Sequence, residues 1–304
     1  MGDALLLEAR GLRKALGGKT VVDGVDLTCA PGEVLGLLGP NGAGKTTSLR
    51  MCYGFLRPDA GSVRIGGHDL ANEPDAARRR LGVCTQDDTC DPDFTVRGNL
   101  VQTARYYRPR LPDLDRRIDE LLAQFELAPF ADQLPETLSG GYKRRLMIAR
   151  AVLHRPDVVF LDEPTTGLDP QARVAVWELV AHLRAQGMAV VLTTHYMDEA
   201  ERLSDRLVVL QGGRVRAHGI ARAVLGDVVG EHIVVLEAAH GTPALAAWLA
   251  ARGAAPATVL AEWHIALDAA GLAAFVAAYP DLRFEVRAPT LDDLFLALAE
   301  ERRA

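Results

Sequence analysis

"EVLGLLGPNGAGKTT", Glu33 to Thr47, decides the fold. Its first half is an apolar run ending in glycine, the pattern of a strand buried on both faces. Its second half fits G-x-x-x-x-G-K-[ST] from Gly39 to Thr46 without a mismatch, and a helical pattern follows. In that context the glycines let backbone N–H groups turn inward around phosphate oxygens, with the positive end of a helix behind them. Gly39, Asn41, Gly42, Ala43, Gly44, Lys45, Thr46 and Thr47 are therefore the candidate nucleotide contacts. Lys45 should reach the β- and γ-phosphates, and Thr46 should offer its hydroxyl to Mg²⁺.

Two more interior strands lie downstream, "DVVFLDE" (Asp157 to Glu163) and "MAVVLTTH" (Met188 to His195). Apolar runs of this kind, alternating with helical patterns, predict an α/β fold with a mainly parallel core sheet. Ligands bind such sheets at the carboxyl ends of the strands. Asp162 ends one strand and can hold Mg²⁺ through water; Glu163 is the candidate general base for an attacking water. Gln86, after "LGVCT", can contact Mg²⁺ and that water, and His195 can donate to a γ-phosphate. Taken singly, Gln86 and His195 would be ordinary surface or core residues; their value lies in the pattern they complete.

"SVRIGGHDL" (Ser62 to Leu70) and "RLVVLQGGRVRAHG" (Arg206 to Gly219) read as hairpins turning at Gly-Gly. Between Asp91 and Leu138 the strand signal disappears. Leu114, Ile118, Leu121, Leu122 and Phe125 fall on one helical face, which reads as core packing in a helical insertion. Near Val228 the composition changes again. "EHIVVLEA", "EWHIALDA" and "LRFEVRA" read as strands; "PALAAWLAARG", "AGLAAFVAAYP" and "LDDLFLALAEERR" read as helices. The expected organisation is a domain over 1–227, its helical subdomain at about 88–150, and a small α+β domain over 228–304.

Among 304 residues, 49% are hydrophobic and 24% charged, ordinary values for a globular chain. The net charge of −6 argues against nucleic acid as the main partner. "MGDALLLEARG" shows no charged leader before an apolar core, so no signal peptide is expected. The longest apolar stretches, such as Ala244 to Ala251, are far shorter than a membrane-spanning helix requires. Cys29, Cys52, Cys84 and Cys90 read as reduced, mostly buried thiols, with a Cys84/Cys90 disulfide or metal pair as the alternative.

One motif remains, "LSGGYKRR", Leu138 to Arg145. With the phosphate loop, Gln86, "LDEPTTGLD" (Leu161 to Asp169) and His195, it resembles the ATP-binding subunit of ABC transporters over about residues 5 to 225. The resemblance implies a phosphate-loop ATPase domain with an antiparallel β subdomain and a helical subdomain. It implies ATP and Mg²⁺ as ligands and head-to-tail pairing with a second ATP-binding subunit. Ser139, Gly140 and Gly141 would close over the partner's ATP, and Asp169 would help join the two sites. It also implies a separate transmembrane permease, received near Gln86 and "FTVRGNL", and a peripheral place at the cytoplasmic face of the inner membrane. "DPDFTVRGNL", "TTHYMDEAERLSDRL" and "PTLDDLFLAL" (Pro289 to Leu298) resemble the branch exporting nodulation factors and daunorubicin-type drugs.

Two positions depart from the family. Leu16 stands where an aromatic residue commonly stacks on adenine, and leucine offers no π-face. Tyr142 replaces the usual Gln or Met. Lys143, Arg144 and Arg145 then open a helix, where cations oppose the helix dipole. Either a facing anion offsets that cost or the three form a solvated basic face. Two other functions stay open at this point: a soluble ABC-type ATPase acting on nucleic acid or ribosomes, and a regulatory nucleotide-binding protein that does not hydrolyse ATP.

Overall fold

The computed structural model describes residues 5–301. The leader reading at residues 1–4, and residues 302–304 at the C-terminal end, lie outside the described residues. The chain divides into two compact units, one up to Arg216 and one from Ala217 onward.

The first unit opens with two long strands, β1 (Leu7–Leu16) and β2 (Lys19–Cys29), followed by β3 (Val34–Leu38) and α1 (Lys45–Cys52). Then come β4 (Ala60–Ile65), β5 (His68–Asp69), α2 (Pro74–Arg78) and β6 (Leu81–Cys84). The helical insertion supplies α3 (Val96–Ala104), α4 (Leu114–Gln124) and α5 (Gly140–Val152). The chain returns through β7 (Val158–Asp162), α6 (Pro170–Ala185), β8 (Ala189–Thr193), α7 (Met197–Leu203), β9 (Arg206–Gln211) and β10 (Arg214–Gly219).

A six-stranded sheet of order β10-β9-β3-β8-β7-β6 forms the centre. From β9 to β6 its neighbours are parallel. Every residue of β3, β7 and β8 is buried. Val159 and Leu161 of β7 face a core shared with α3 to α6; Val158 and Phe160 face a second core shared with β1, β2, β4 and α1. Apolar surface on both sides is what the uninterrupted runs encode. The second layer is the antiparallel sheet β2-β1-β4-β5. The face read on α4 lines the first core: Ile118, Leu121, Leu122 and Phe125 are buried there.

The second unit carries α8 (Ala221–Val228), β11 (His232–Glu237), α9 (Pro243–Ala250), β12 (Pro256–Val259) and β13 (Glu262–Leu267). It ends in α10 (Ala269–Ala278), β14 (Glu285–Arg287) and α11 (Leu291–Glu301). Its antiparallel sheet has the order β12-β13-β11-β14. The division falls within β10, and α8, which packs against α11, lies in the second unit. Strand β12 carries no apolar alternation; it starts at a proline and occupies the sheet edge, where the missing N–H is tolerated. In the "PTLDDLFLAL" stretch, Asp293 is buried and accepts two bonds from Arg287, at 2.6 and 2.7 Å, and one from Thr290 Oγ1 at 2.9 Å.

Candidate active site

The phosphate loop links β3 to α1 and is held from two sides. Gly44, the residue capping α1, has φ +103°, and a Cβ there would lie 2.8 Å from the Val21 carbonyl oxygen on β2. At Gly39 a Cβ would meet the Leu210 oxygen at 2.3 Å. Gly213, in the turn after β9, donates to Ala43 O at 3.2 Å and accepts from Asp23 N at 2.8 Å. Only glycine fits such close backbone approaches at positive φ. The first turn of α1 holds no acidic residue and no side chain caps it, so its N–H groups remain directed at the loop.

Lys45 is 9% exposed and its Nζ donates to Gly39 O at 2.7 Å. Burial pulls its pKa below the ordinary lysine value, while Glu163 and Asp162 act in the opposite direction. Asp162 ends β7, also buried, and accepts from the Thr193 hydroxyl at 2.6 Å. Burial raises its carboxyl above the usual range; the Thr193 bond opposes that rise.

Glu163 is where the site converges. Its Oε2 accepts from Gln86 Nε2 at 3.2 Å and from Thr166 Oγ1 at 3.0 Å, and lies 3.3 Å from His195 Nδ1. The residue has φ +49°, a left-handed conformation that is costly outside glycine. Its N–H holds that conformation by donating to Thr193 O at 3.1 Å and to Thr193 Oγ1 at 3.0 Å. Gln86, Glu163 and His195, read from three separate strand ends, thus meet at one oxygen.

Glu199 and Trp177 lie behind this group and were not singled out in the sequence. Glu199 is fully buried on α7 and accepts from Trp177 Nε1 at 3.1 Å. Burial raises its carboxyl; Thr194, which precedes His195, and Thr165, which precedes Thr166, act against the rise. A glutamate four residues after a strand-end histidine was the available signal.

The Ser139 motif forms a second group. Ser139 precedes α5, yet its side chain caps nothing and is exposed. A Cβ on Gly141 would lie 2.8 Å from Ala172 Cβ on α6; a Cβ on Gly140 would meet only Leu168, at 3.6 Å. Asp169 caps α6 by accepting from Ala172 N at 2.9 Å. The Ser139 and Asp169 turns therefore share one corner. Leu16, at the end of β1, is 44% exposed beside the turn to β2.

Two of the three cations in the basic run have partners within the chain. Arg144 is 7% exposed and its guanidinium donates to Thr85 O at 2.8 Å and Gln86 O at 3.1 Å. Arg145 pairs with Glu126 and lies over the Tyr142 ring, 4.9 Å from its centroid. Tyr142 in turn packs on Phe130, with ring centroids 4.5 Å apart. All four cysteines carry free thiols, and burial pushes Cys52 and Cys90 up to about 12.

The ABC transporter family model matches residues 22–166. Nod factor export ATP-binding protein I of Ralstonia nicotianae is 42% identical over 307 residues, covering 98% of this chain and 95% of that one. The chain belongs to the ABC transporter ATP-binding proteins. The protein of the same description from Paraburkholderia xenovorans is 47% identical over 228 residues, or 75% of each chain. A solved ATP-binding subunit of an ABC transporter superposes with TM-score 0.65 at 33% identity, covering 73% of this chain and 91% of that one. The ADP conformation of an ATP-binding cassette gives the same score at 26% identity, covering 74% and 94%.

This ABC subunit binds and hydrolyses ATP as part of a transporter complex. Among the described residues, no helix is long and apolar enough to cross a membrane.

Proposed function

We propose that the ABC subunit powers export through a separate membrane permease, with two copies closing head to tail on ATP. Ser139 and Gly141 of one copy contact the γ-phosphate held by Lys45 of the other, and Asp169 helps join the two sites. Leu16 covers the adenine. The permease keeps the subunit at the cytoplasmic face of the inner membrane, and the cargo is a drug-like or lipo-oligosaccharide molecule. The export role for which the Nod factor relatives are named supports this reading. The acidic net charge of −6 disfavours nucleic acid as a partner.

The convergence of Gln86, Thr166 and His195 on Glu163 Oε2 carries the hydrolytic part. A carboxylate held by three groups at the end of β7, beside a buried lysine, is placed to orient a water and accept its proton. His195, whose Nδ1 lies 3.3 Å from Glu163 Oε2, can donate to the γ-phosphate. A regulatory protein that only binds nucleotide would have no use for this arrangement.

Thr46, Asp162 and Gln86 offer hard oxygen donors, which suit Mg²⁺. Buried Asp162 with its raised carboxyl fits a role opposite a cation. Gln86 fits as well: its amide nitrogen is engaged by Glu163, which turns its carbonyl oxygen to other partners. When bound, the ion neutralises charge on the transferring phosphate. Thr46 and Asp162 would hold it, Lys45 would orient the phosphate, and Glu163 would take the proton.

Glu163→Gln tests the proposal. The variant should bind ATP as wild type does and lose turnover by about 100-fold or more, the usual contribution of a general base. Wild-type turnover by this variant would remove Glu163 from the chemistry.

A further inference from the structure

The sequence singles out the basic run after Ser139, and phosphate binding does not account for Arg144. Arg144 lies on α5, five residues after Ser139, at 7% exposure. It donates to the carbonyl oxygens of Thr85 at 2.8 Å and Gln86 at 3.1 Å, and its Nη1 lies 3.7 Å from Cys84 Sγ. These three residues are consecutive: the end of β6 and the start of the loop that delivers Gln86. The Gln86 side chain then donates to Glu163 Oε2 at 3.2 Å. An unbroken series of contacts therefore runs from the N-terminus of α5 through Arg144 and the Gln86 backbone to Glu163.

The same helix grips the loop at two other points. Arg150 donates to Thr89 O at 2.6 Å and to Thr103 Oγ1 at 3.0 Å. A Cβ at Gly82 on β6 would lie 2.1 Å from the Ala151 carbonyl oxygen, so helix and strand are in backbone contact there. Gly82 and Arg150 fix the strand before the loop and the segment after it. Arg144 alone among these holds the two carbonyls that flank the Gln86 Cα. A planar guanidinium serves two acceptors at once, which a lysine ammonium on a flexible stem does not reproduce.

We infer that Arg144 is a positioning residue that ties the Ser139 helix to the Gln86 loop and keeps Gln86 against Glu163, a contact made within the single chain. The inference rests on the proposed hydrolytic role of Glu163. It links each hydrolytic centre to the helix that carries its own chain's Ser139. Such a link acts on turnover, because Gln86 and Glu163 belong to the water-activating group. It leaves ATP binding at Lys45 alone, because the phosphate loop is held by β2 and the turn after β9.

The test uses the full chain with Mg²⁺ and ATP. Arg144→Lys keeps the charge and stem, Arg144→Met keeps only the stem, and each is also combined with Gln86→Ala. Thermal midpoint, ATP Kd and kcat are measured for all, with Glu163→Gln as the reference for lost hydrolysis. The expected result is a kcat about 10-fold lower or more for both variants, since a small misplacement near the reacting atoms has effects of that size. Kd and the midpoint of Arg144→Lys should stay near wild type. The combination with Gln86→Ala should be no slower than Gln86→Ala alone, as for residues acting through one another. Wild-type kcat in both variants overturns the inference, and so do losses that multiply in the combined variants. A kcat loss matched by equal losses in Kd and midpoint assigns Arg144 to folding and also overturns it; if Arg144→Met does not fold, Arg144→Lys decides. Equal turnover of wild type and Glu163→Gln would instead sink the functional proposal, so the two failures are distinguishable.

Discussion

The two glycine loops of the first unit, residues 39–47 and 138–145, differ in what encloses them. The first is walled by β2 on one side and the Gly213 turn on the other, and its lysine is nearly buried. Gly39, Gly42 and Gly44 all adopt positive φ. The second loop has an exposed serine that caps nothing and two glycines with ordinary helical backbone. One loop is a cradle completed by its own chain; the other is a flat helix end that offers donors outward. Glycine serves close backbone approach in the first and a small contact surface in the second.

The comparison breaks most visibly if both loops serve one site within one chain. Lys45→Ala should abolish ATP binding and hydrolysis together, whereas Ser139→Arg should keep ATP binding within a few-fold and remove hydrolysis by about 100-fold or more. Equilibrium ATP binding and steady-state phosphate release distinguish the two patterns. Loss of binding by Ser139→Arg would place both loops around one nucleotide.

A smaller effect sharpens the contrast in backbone. Gly44→Ala puts a Cβ 2.8 Å from a carbonyl oxygen at φ +103°. It should lower stability by about 1–3 kcal/mol, the range for a strained backbone position. Gly140→Ala meets a single side-chain carbon at 3.6 Å in the first turn of a helix. It should leave the thermal midpoint unchanged or slightly raised, since alanine favours helix by about 0.5–1 kcal/mol. Equal destabilisation by the two would erase the distinction.

The last contrast is read against pH, at the far end of α5. His154 follows that helix, stacks on Tyr107 at 4.0 Å and donates from Nε2 to Leu81 O at 2.9 Å. Burial pulls its pKa from 6.5 to about 4, and Nδ1 is buried without a partner. The folded chain thus binds this proton less readily than the unfolded one. The resulting stability is complete above pH 6.5 and is lost as pH falls from 6.5 towards 4, at up to about 1.4 kcal/mol per unit. Thermal midpoints of wild type and His154→Gln should converge across that window; a constant difference would contradict the assignment.

Much of this was legible because chemistry and pattern coincide. Apolar runs at β3, β7 and β8 specify a sheet buried on both faces, and Asp162 and Thr193, which end the last two strands, mark the site edge. The meeting of Gln86, Glu163 and His195 follows from parallel strands that end on one side. What stayed hidden depends on partners distant in sequence. Arg144 looks like a surface cation until the Thr85 and Gln86 carbonyls, 59 and 58 residues away, are brought to it. Tyr142 is a bare departure from the family pattern until Phe130 is seen to pack on its ring. Strand β12 has no period to read, and α8 joins the second unit through α11, which arrives more than sixty residues later.

The bond between Trp177 and Glu199 gives the molecule an optical property. The chain contains three tryptophans, and Trp177 is the only one before residue 217; Trp248 and Trp263 belong to the second unit. Its indole N–H is hydrogen-bonded to a buried carboxylate on the helix that begins two residues after His195. Indole emission responds to the charge and distance of such a neighbour. With Trp248 and Trp263 replaced by phenylalanine, the remaining fluorescence comes from the ATPase unit alone, at the back of its catalytic loops, without an attached dye.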